Sequence, residues 1–480
     1  MAEALELMDT HSKNPIVVCG GGLAGHMAAV YLANRLGDSR RIVFLPNAGS
    51  ISSDVLYGTV TAPTAYDFLR TLGLDEPTLI QGTSTSFSFG TGYSGWPSTK
   101  SDWVQCHHLP LAAIKGVPIQ HHLARQQTDL QSLLVSAVAA GAGRFAHPPQ
   151  DPRIPLSRAE YGYQFDPADF VRVLGQIAGT LDIEINTSAI TAVRTDSGTI
   201  SQLELDSGDH IKGGLFLDCT GSDRRLLDVL GASFAVERSI SVDVEVQDSP
   251  TLGPAMRTVS ASDAGWMAVT HLQGRTRRLS VSDGSRGTEM DLGQVSTPWV
   301  GNCVGIGQSA YALEPLTPAP MILLQADLER VLELIPIGDD MEIERREYNR
   351  RFHDDVSHAR IFQNALFKGI EAPNAPYWEE AMSCAHSDAL DRKIAQFEHR
   401  GLLVKYDLEP FNEEDWLILH HGMGRCPRHF DRLAARASVD EVTQQFSGLQ
   451  QAIQQIVSRM PPHHTYVANL KRYLEKQQNG

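Results

Sequence analysis

The sequence predicts a soluble α/β fold with an antiparallel sheet inserted into a nucleotide-binding frame and a helical C-terminal region. Three observations predict it. An apolar run, Pro15-Ile16-Val17-Val18-Cys19, opens directly into Gly20-Gly21-Gly22 and a segment rich in Ala, Met and Leu. Strand-length segments recur from Ile183 to Ser282, and helical spacing dominates beyond Leu316.

Taken in order, Ile16 to Cys19 reads as a strand, Leu23 to Leu36 as a helix and Arg41 to Leu45 as the next strand, which is the span of one βαβ unit. Tyr66 to Leu72 is a short amphipathic helix, and Thr83 to Tyr93 alternates like one extended strand. Trp96 to Pro155, rich in Gly, Pro, His and Gln, reads as loops apart from a helix at Asp129 to Ala140. Asp166 is placed to cap a helix that begins Pro167-Ala168-Asp169. Strands follow at Ile183–Ile185, Ala189–Thr195, Ile200–Leu205 and Gly214–Leu217, closing in Asp218-Cys219-Thr220-Gly221, then at Ile240–Val246, Trp266–Leu272 and Leu279–Ser282. Leu323–Leu334, Met341–Gln363 and Val439–Met460 carry helical periodicity.

Composition narrows the function. A formal net charge of -16 opposes phosphate backbones and anionic membranes, and no basic patch overcomes it. Arg275, Arg277 and Arg278 read as a solvated strand end. The six cysteines are scattered without a CxxC pair, which speaks for a reducing cytoplasm and against zinc or a disulfide framework. His107-His108 and His121-His122 lack an acid or thiol at zinc-like spacing, so no metal is expected. No apolar stretch is long enough to span a membrane, and Met1 to Asn14 lacks the features of a signal peptide.

Gly20-x-Gly22-x-x-Gly25 carries the first piece of chemistry. Glycines at these positions permit a tight turn, close approach of backbone to a pyrophosphate and contact of helix with strand, while the amides of Leu23 and Ala24 face the anion with the positive end of the helix dipole. The pattern is weak alone; here it follows a strand and opens a helix, which selects a Rossmann-like dinucleotide site. The acid expected at the end of the next strand is missing, because that stretch is Leu45-Pro46-Asn47.

The blocks Gly20 to Ala29, Gly162-Tyr163-Gln164-Phe165-Asp166, Leu217-Asp218-Cys219-Thr220-Gly221, Ala264-Gly265-Trp266, Leu313-Glu314-Pro315-Leu316 and Pro427-Arg428-His429-Phe430-Asp431 stand in an order and spacing that resemble the flavin-dependent tryptophan halogenases over nearly the whole chain. The resemblance implies an FAD-binding domain of the glutathione-reductase/hydroxylase type, with reduced FAD supplied by a separate flavin reductase. It also implies a small aromatic or indolic substrate of secondary metabolism, with a homodimer compatible. In that family hypohalous acid travels to a lysine beside the substrate, assisted by a glutamate; a placed ammonium and carboxylate suit so small and promiscuous an oxidant. Gly20, Gly22, Leu23, Ala24, Gly25, Asp218, Gly221, Gly307 and Leu316 are the implied cofactor contacts.

This chain departs from the pattern where the chemistry sits. The lysine falls at Ser88, the glutamate at Thr317, and the residues after it are Pro318, Ala319 and Pro320, the last without the N–H that faces halide in the family. The acid of the loop beside the flavin is absent from Gly58-Thr59-Val60-Thr61, and Trp266 alone survives of a Trp-x-Trp pair. Glu314 reads equally as a general acid or base and as a carboxylate orienting backbone N–H groups; Trp266 reads as core filler or cavity wall. Ser88, Glu314, Thr317 and Trp266 are the candidate catalytic positions, and Asp218 is expected near the ribityl or phosphate region through its neighbours. An FAD-binding domain is expected over 1–100, 160–235 and 296–336, substrate-facing insertions over 101–159 and 236–295, and a helical region over 337–480. Three functions follow: a cytoplasmic two-component flavin monooxygenase or oxidase, a silent relative acting as a binding partner, and a halogenase with a relocated relay.

Overall fold

The computed structural model describes residues 14–49, 51–98, 101–284, 287–338, 340–371 and 374–478. Its organising element is a six-stranded sheet in the spatial order Trp299–Val300, Cys303–Gly305, Leu215–Asp218, Ile16–Cys19, Ile42–Leu45, Ile183–Ile185. All pairs are parallel except the edge pair Trp299–Val300 with Cys303–Gly305. The central strands are buried throughout, as their unbroken apolar runs require in a parallel sheet covered on both faces. Helix Leu23–Leu36 packs on this sheet beside helices Pro167–Ala178 and Ala319–Glu333.

Register decides where a ligand can lie. Cys19 stands opposite Leu45 and Asp218, and Asp218 opposite Gly305, so the glycine turn and the loops after Leu45, Asp218 and Gly305 leave the sheet at one edge, its C-terminal end. Crevices outside the carboxyl ends of parallel strands are where open α/β sheets bind ligands.

The second sheet has eight strands in the order Tyr311–Ala312, Thr288–Val295, Phe234–Asp248, Arg275–Ser282, Gly265–Leu272, Arg257–Ser262, Gly90–Ser94, Asp102–Cys106. It is antiparallel but for the pairing of Arg257–Ser262 with Gly90–Ser94. Two expectations are corrected here. Thr83–Tyr93 is two strands, Ser86–Ser88 and Gly90–Ser94, because Gly90 takes φ +147° and a Cβ there would lie 2.1 Å from the Gln105 carbonyl oxygen. Trp96–Pro155 is mostly loop as expected, but it holds more than one helix: Asp102–Cys106 is the edge strand of this sheet, Ile119–Gln126 is a helix, and the helix expected over Asp129–Ala140 is a 3₁₀ turn, Leu130–Leu133, followed by helix Val135–Gly141.

Arg275 and Arg277 are likewise no solvated strand end. Arg275 Nη2 lies 3.0 Å from Asp166 Oδ2 and 2.9 Å from Asp169 Oδ2, and Arg277 Nη1 lies 3.3 Å from Asp166 Oδ1. They tie the large sheet to the start of helix Pro167–Ala178, where Asp166 also caps the Ala168 amide at 3.1 Å. Among the described residues beyond 340 are six α-helices, three of them opened by side-chain caps from Ser387, Asn412 and Ser438. Among the described residues no helix is long and apolar enough to cross a membrane.

Candidate active site

The glycine turn is built as its spacing requires. A Cβ on Gly20 would lie 2.1 Å from the Cys219 carbonyl oxygen, and one on Gly25 would lie 1.8 Å from the Gly20 oxygen, so helix and strands meet backbone to backbone. Leu23 opens the helix, and its N–H donates to Asp54 Oδ2 at 2.8 Å. Asp54 comes from the 3₁₀ turn Ser52–Tyr57, and desolvation pushes its carboxyl up to about 7 against the opposing pull of that amide.

Asp218, fully buried, is saturated. Its Oδ1 accepts from the Thr220 N–H at 3.0 Å, Thr220 Oγ1 at 2.6 Å and Ser309 Oγ at 3.2 Å, and its Oδ2 from the Leu226 and Leu227 amides at 2.9 Å each. The carboxylate therefore shapes the Thr220–Gly221 turn. Gly307, at φ +59°, donates its N–H to Asp327 Oδ2 at 3.0 Å and packs under the Tyr57 hydroxyl. Beside it Gln308 is buried with neither amide atom hydrogen-bonded, as is Ser53 Oγ. Both border a cavity of about 420 Å³ that Leu56, Ser222, Arg224 and Met290 also line. Orphaned donors and acceptors in a cavity walled by Arg224 as well as by Glu289 and Asp291 fit a polar ligand, and the glycine turn at the carboxyl end of the parallel sheet fits the pyrophosphate of a dinucleotide cofactor.

The candidate catalytic positions divide into two groups. Trp266 and Glu314 are brought together: Trp266 Nε1 donates to Glu314 Oε1 at 2.5 Å, while Arg238 donates to Oε2 and the Tyr377 hydroxyl to Oε1. Glu314 accepts from side chains here, so the expectation that it orients backbone amides is replaced by that of a buried counter-ion, and Trp266 is wholly core. Ser88 and Thr317 are not hydrogen-bonded to each other. Ser88, without exposure, donates to the Gly90 carbonyl at 3.0 Å and accepts from the Gly90 N–H at 3.2 Å. Thr317 Oγ1 accepts the Ala319 N–H at 3.3 Å, where Pro320 occupies the first turn of helix Ala319–Glu333. Thr59, in the loop where the acid is absent, shares a 2.5 Å contact with the hydroxyl of Thr270.

Sequence reasoning missed Arg257. It is fully buried on strand Arg257–Ser262, in phase with Val259 and Ala261, and that in-phase charge was the available signal. Its Nη1 donates to the Pro315 carbonyl at 2.8 Å and its Nη2 to that of Leu316, which also accepts from the Tyr93 hydroxyl at 3.1 Å. No carboxylate among the described residues pairs with it, its Nε is unpartnered, and burial lowers it to about 10, so it stays charged at neutral pH. Tyr93, stacked on Trp103 at 4.7 Å, continues into a cavity of about 530 Å³ lined by Met256, Thr258 and His421. Lys393, buried far along the chain, is held by both Glu409 oxygens at 3.0 Å.

Comparison with known proteins fits this geometry. Tryptophan 6-halogenase SttH of Streptomyces toxytricini is 24% identical over 532 residues, covering 96% of this chain and 99% of that protein. The solved structure of BrvH, a flavin-dependent halogenase from Brevundimonas sp. BAL3, superposes with a TM-score of 0.86 at 23% identity, over 95% of this chain and 99% of that one. Xcc4156, a flavin-dependent halogenase from Xanthomonas campestris, gives 0.86 at 25% identity over 95% and 98%. The family description "Tryptophan halogenase" matches residues 15–282 and 277–439. The match spans most of the sequence, glycine turn and parallel sheet included, and the chain belongs to the tryptophan halogenase family.

Proposed function

We propose that the chain is a flavin-dependent oxidoreductase that transfers oxygen to, or oxidises, a small aromatic or indolic molecule and does not halogenate it. The observation that carries this reading is the state of Ser88 and Thr317. Both are buried and hydrogen-bonded to nearby backbone where the resemblance calls for an ammonium and a carboxylate. A hydroxyl cannot replace either charge. Arg257 does not restore the ammonium, because its guanidinium charge is delocalised and already engaged with two carbonyls.

The amides of the Gly20–Gly25 turn, Ser53 and Gln308 are the groups that would hold FAD, and family membership favours reduced FAD supplied by a separate reductase. Once bound, reduced FAD supplies the electrons that activate oxygen. The protein's part is to seat the arene in the cavity walled by Tyr93 and Trp103, to exclude water, and to hold a fixed cation, Arg257, beneath the Pro315-Leu316 backbone.

The test supplies a flavin reductase, NADH and isotopically labelled oxygen together with indole-type substrates. The reading expects protein-dependent substrate loss, yielding a product that carries labelled oxygen or has lost hydrogen. Oxygen consumption no greater than that of the reductase and FAD alone, with substrate intact, would replace it by the silent binding role.

A further inference from the structure

Asp54 occupies the seat that the glycine turn keeps for an anion. Its Oδ2 takes the first N–H of helix Leu23–Leu36 at 2.8 Å. A Cβ on Gly22 would lie 2.6 Å and 2.9 Å from the two Asp54 oxygens, so the carboxylate rests against the bare α-carbon that lets backbone approach a pyrophosphate. The acid does not come from the strand end, where a ribose contact is expected, but from the 3₁₀ turn Ser52–Tyr57. A second observation lies next to it in the chain: Ser53, which precedes Asp54, and Gln308 are each nearly without exposure, carry unpartnered polar atoms and line a cavity of about 420 Å³.

We propose that Asp54 is a tethered competitor for the pyrophosphate of the dinucleotide, so that FAD binds only when the Ser52–Tyr57 turn withdraws its carboxylate. The inference rests on the flavin reading above. Asp54 competes in its ionised form, which burial confines to pH near and above 7, and there two anions cannot share one cradle of amides, because their repulsion at contact distance in a partly desolvated site exceeds what one N–H returns. A competitor on the same chain also acts at a high effective concentration. Asp54 thereby weakens every phosphate-bearing ligand of the turn and leaves the ring-binding end of the crevice unchanged. The outcome is a chain that takes FAD up briefly and releases it readily, as suits a flavin that arrives already reduced.

The test is titration of wild-type protein, Asp54→Asn and Asp54→Ala with FAD, ADP and riboflavin, followed by calorimetry or flavin fluorescence. Asparagine keeps an oxygen for the Leu23 amide and guards against loss of the fold. Both variants are expected to bind FAD and ADP roughly tenfold or more tightly than wild type, with riboflavin affinity unchanged. Measurable FAD binding that is the same in all three proteins would overturn the inference and leave the flavin reading standing, and so would a riboflavin shift as large as that for FAD. Failure of every protein to bind any of the three ligands would overturn both.

Discussion

At Glu314 one carboxylate holds Trp266, Tyr377 and Arg238 together inside the protein. Replacing it by glutamine leaves Arg238 buried without its counter-charge, an uncompensated ion that costs about 3–5 kcal/mol. Urea unfolding of Glu314→Gln should show that loss; Trp266→Phe, which removes one donor from a carboxylate that keeps others, should lose about 1–3 kcal/mol. Ser88→Lys places an ammonium where there is no exposure and no acid, so it should lower the melting temperature and should not create halogenation. Glu314 was legible as part of a retained block, but its partners were not. Arg238 and Tyr377 lie 76 and 63 positions away in sequence, and no periodicity links positions on different elements. Arg257 was hidden for a related reason: a strand arginine reads as solvent-facing until the loop carbonyls that satisfy it are seen.

Among the elements, the strand, glycine turn and helix at the N-terminus could be read almost residue for residue, since local rules alone shape them. Gly25→Ala tests that reading. Its Cβ would lie 1.8 Å from the Gly20 oxygen, so helix and turn must separate, and thermal unfolding should show a loss of roughly 2 kcal/mol or more, together with weaker FAD binding. The strand Asp102–Cys106 was not legible because its reason to exist is its partner, Gly90–Ser94, rather than its own alternation. Similarly, Arg275 and Arg277 look like surface charge until helix Pro167–Ala178 brings Asp166 and Asp169 against them.

Across the whole molecule, the family's fold is retained, and Ser88 and Thr317, where the sequence resemblance places the relay, carry uncharged hydroxyls. The sheet edge, the turn at Gly20 and the orphaned Gln308 keep the character of a dinucleotide site. Ser88 and Thr317 are closed into backbone hydrogen bonds, and Lys393, the buried lysine among the described residues, is neutralised by Glu409. Hydrophobic patterning foretold the α/β class, and motif spacing foretold the family, because both are set along the chain. What occupies the crevice, Asp54 above all, depends on a turn whose path only three dimensions reveal. The most direct measurement is the mass spectrum of products formed from indole-type substrates by the protein with a flavin reductase, NADH, oxygen and bromide. The account predicts no brominated product beyond that formed without the protein; a protein-dependent brominated indole would contradict it.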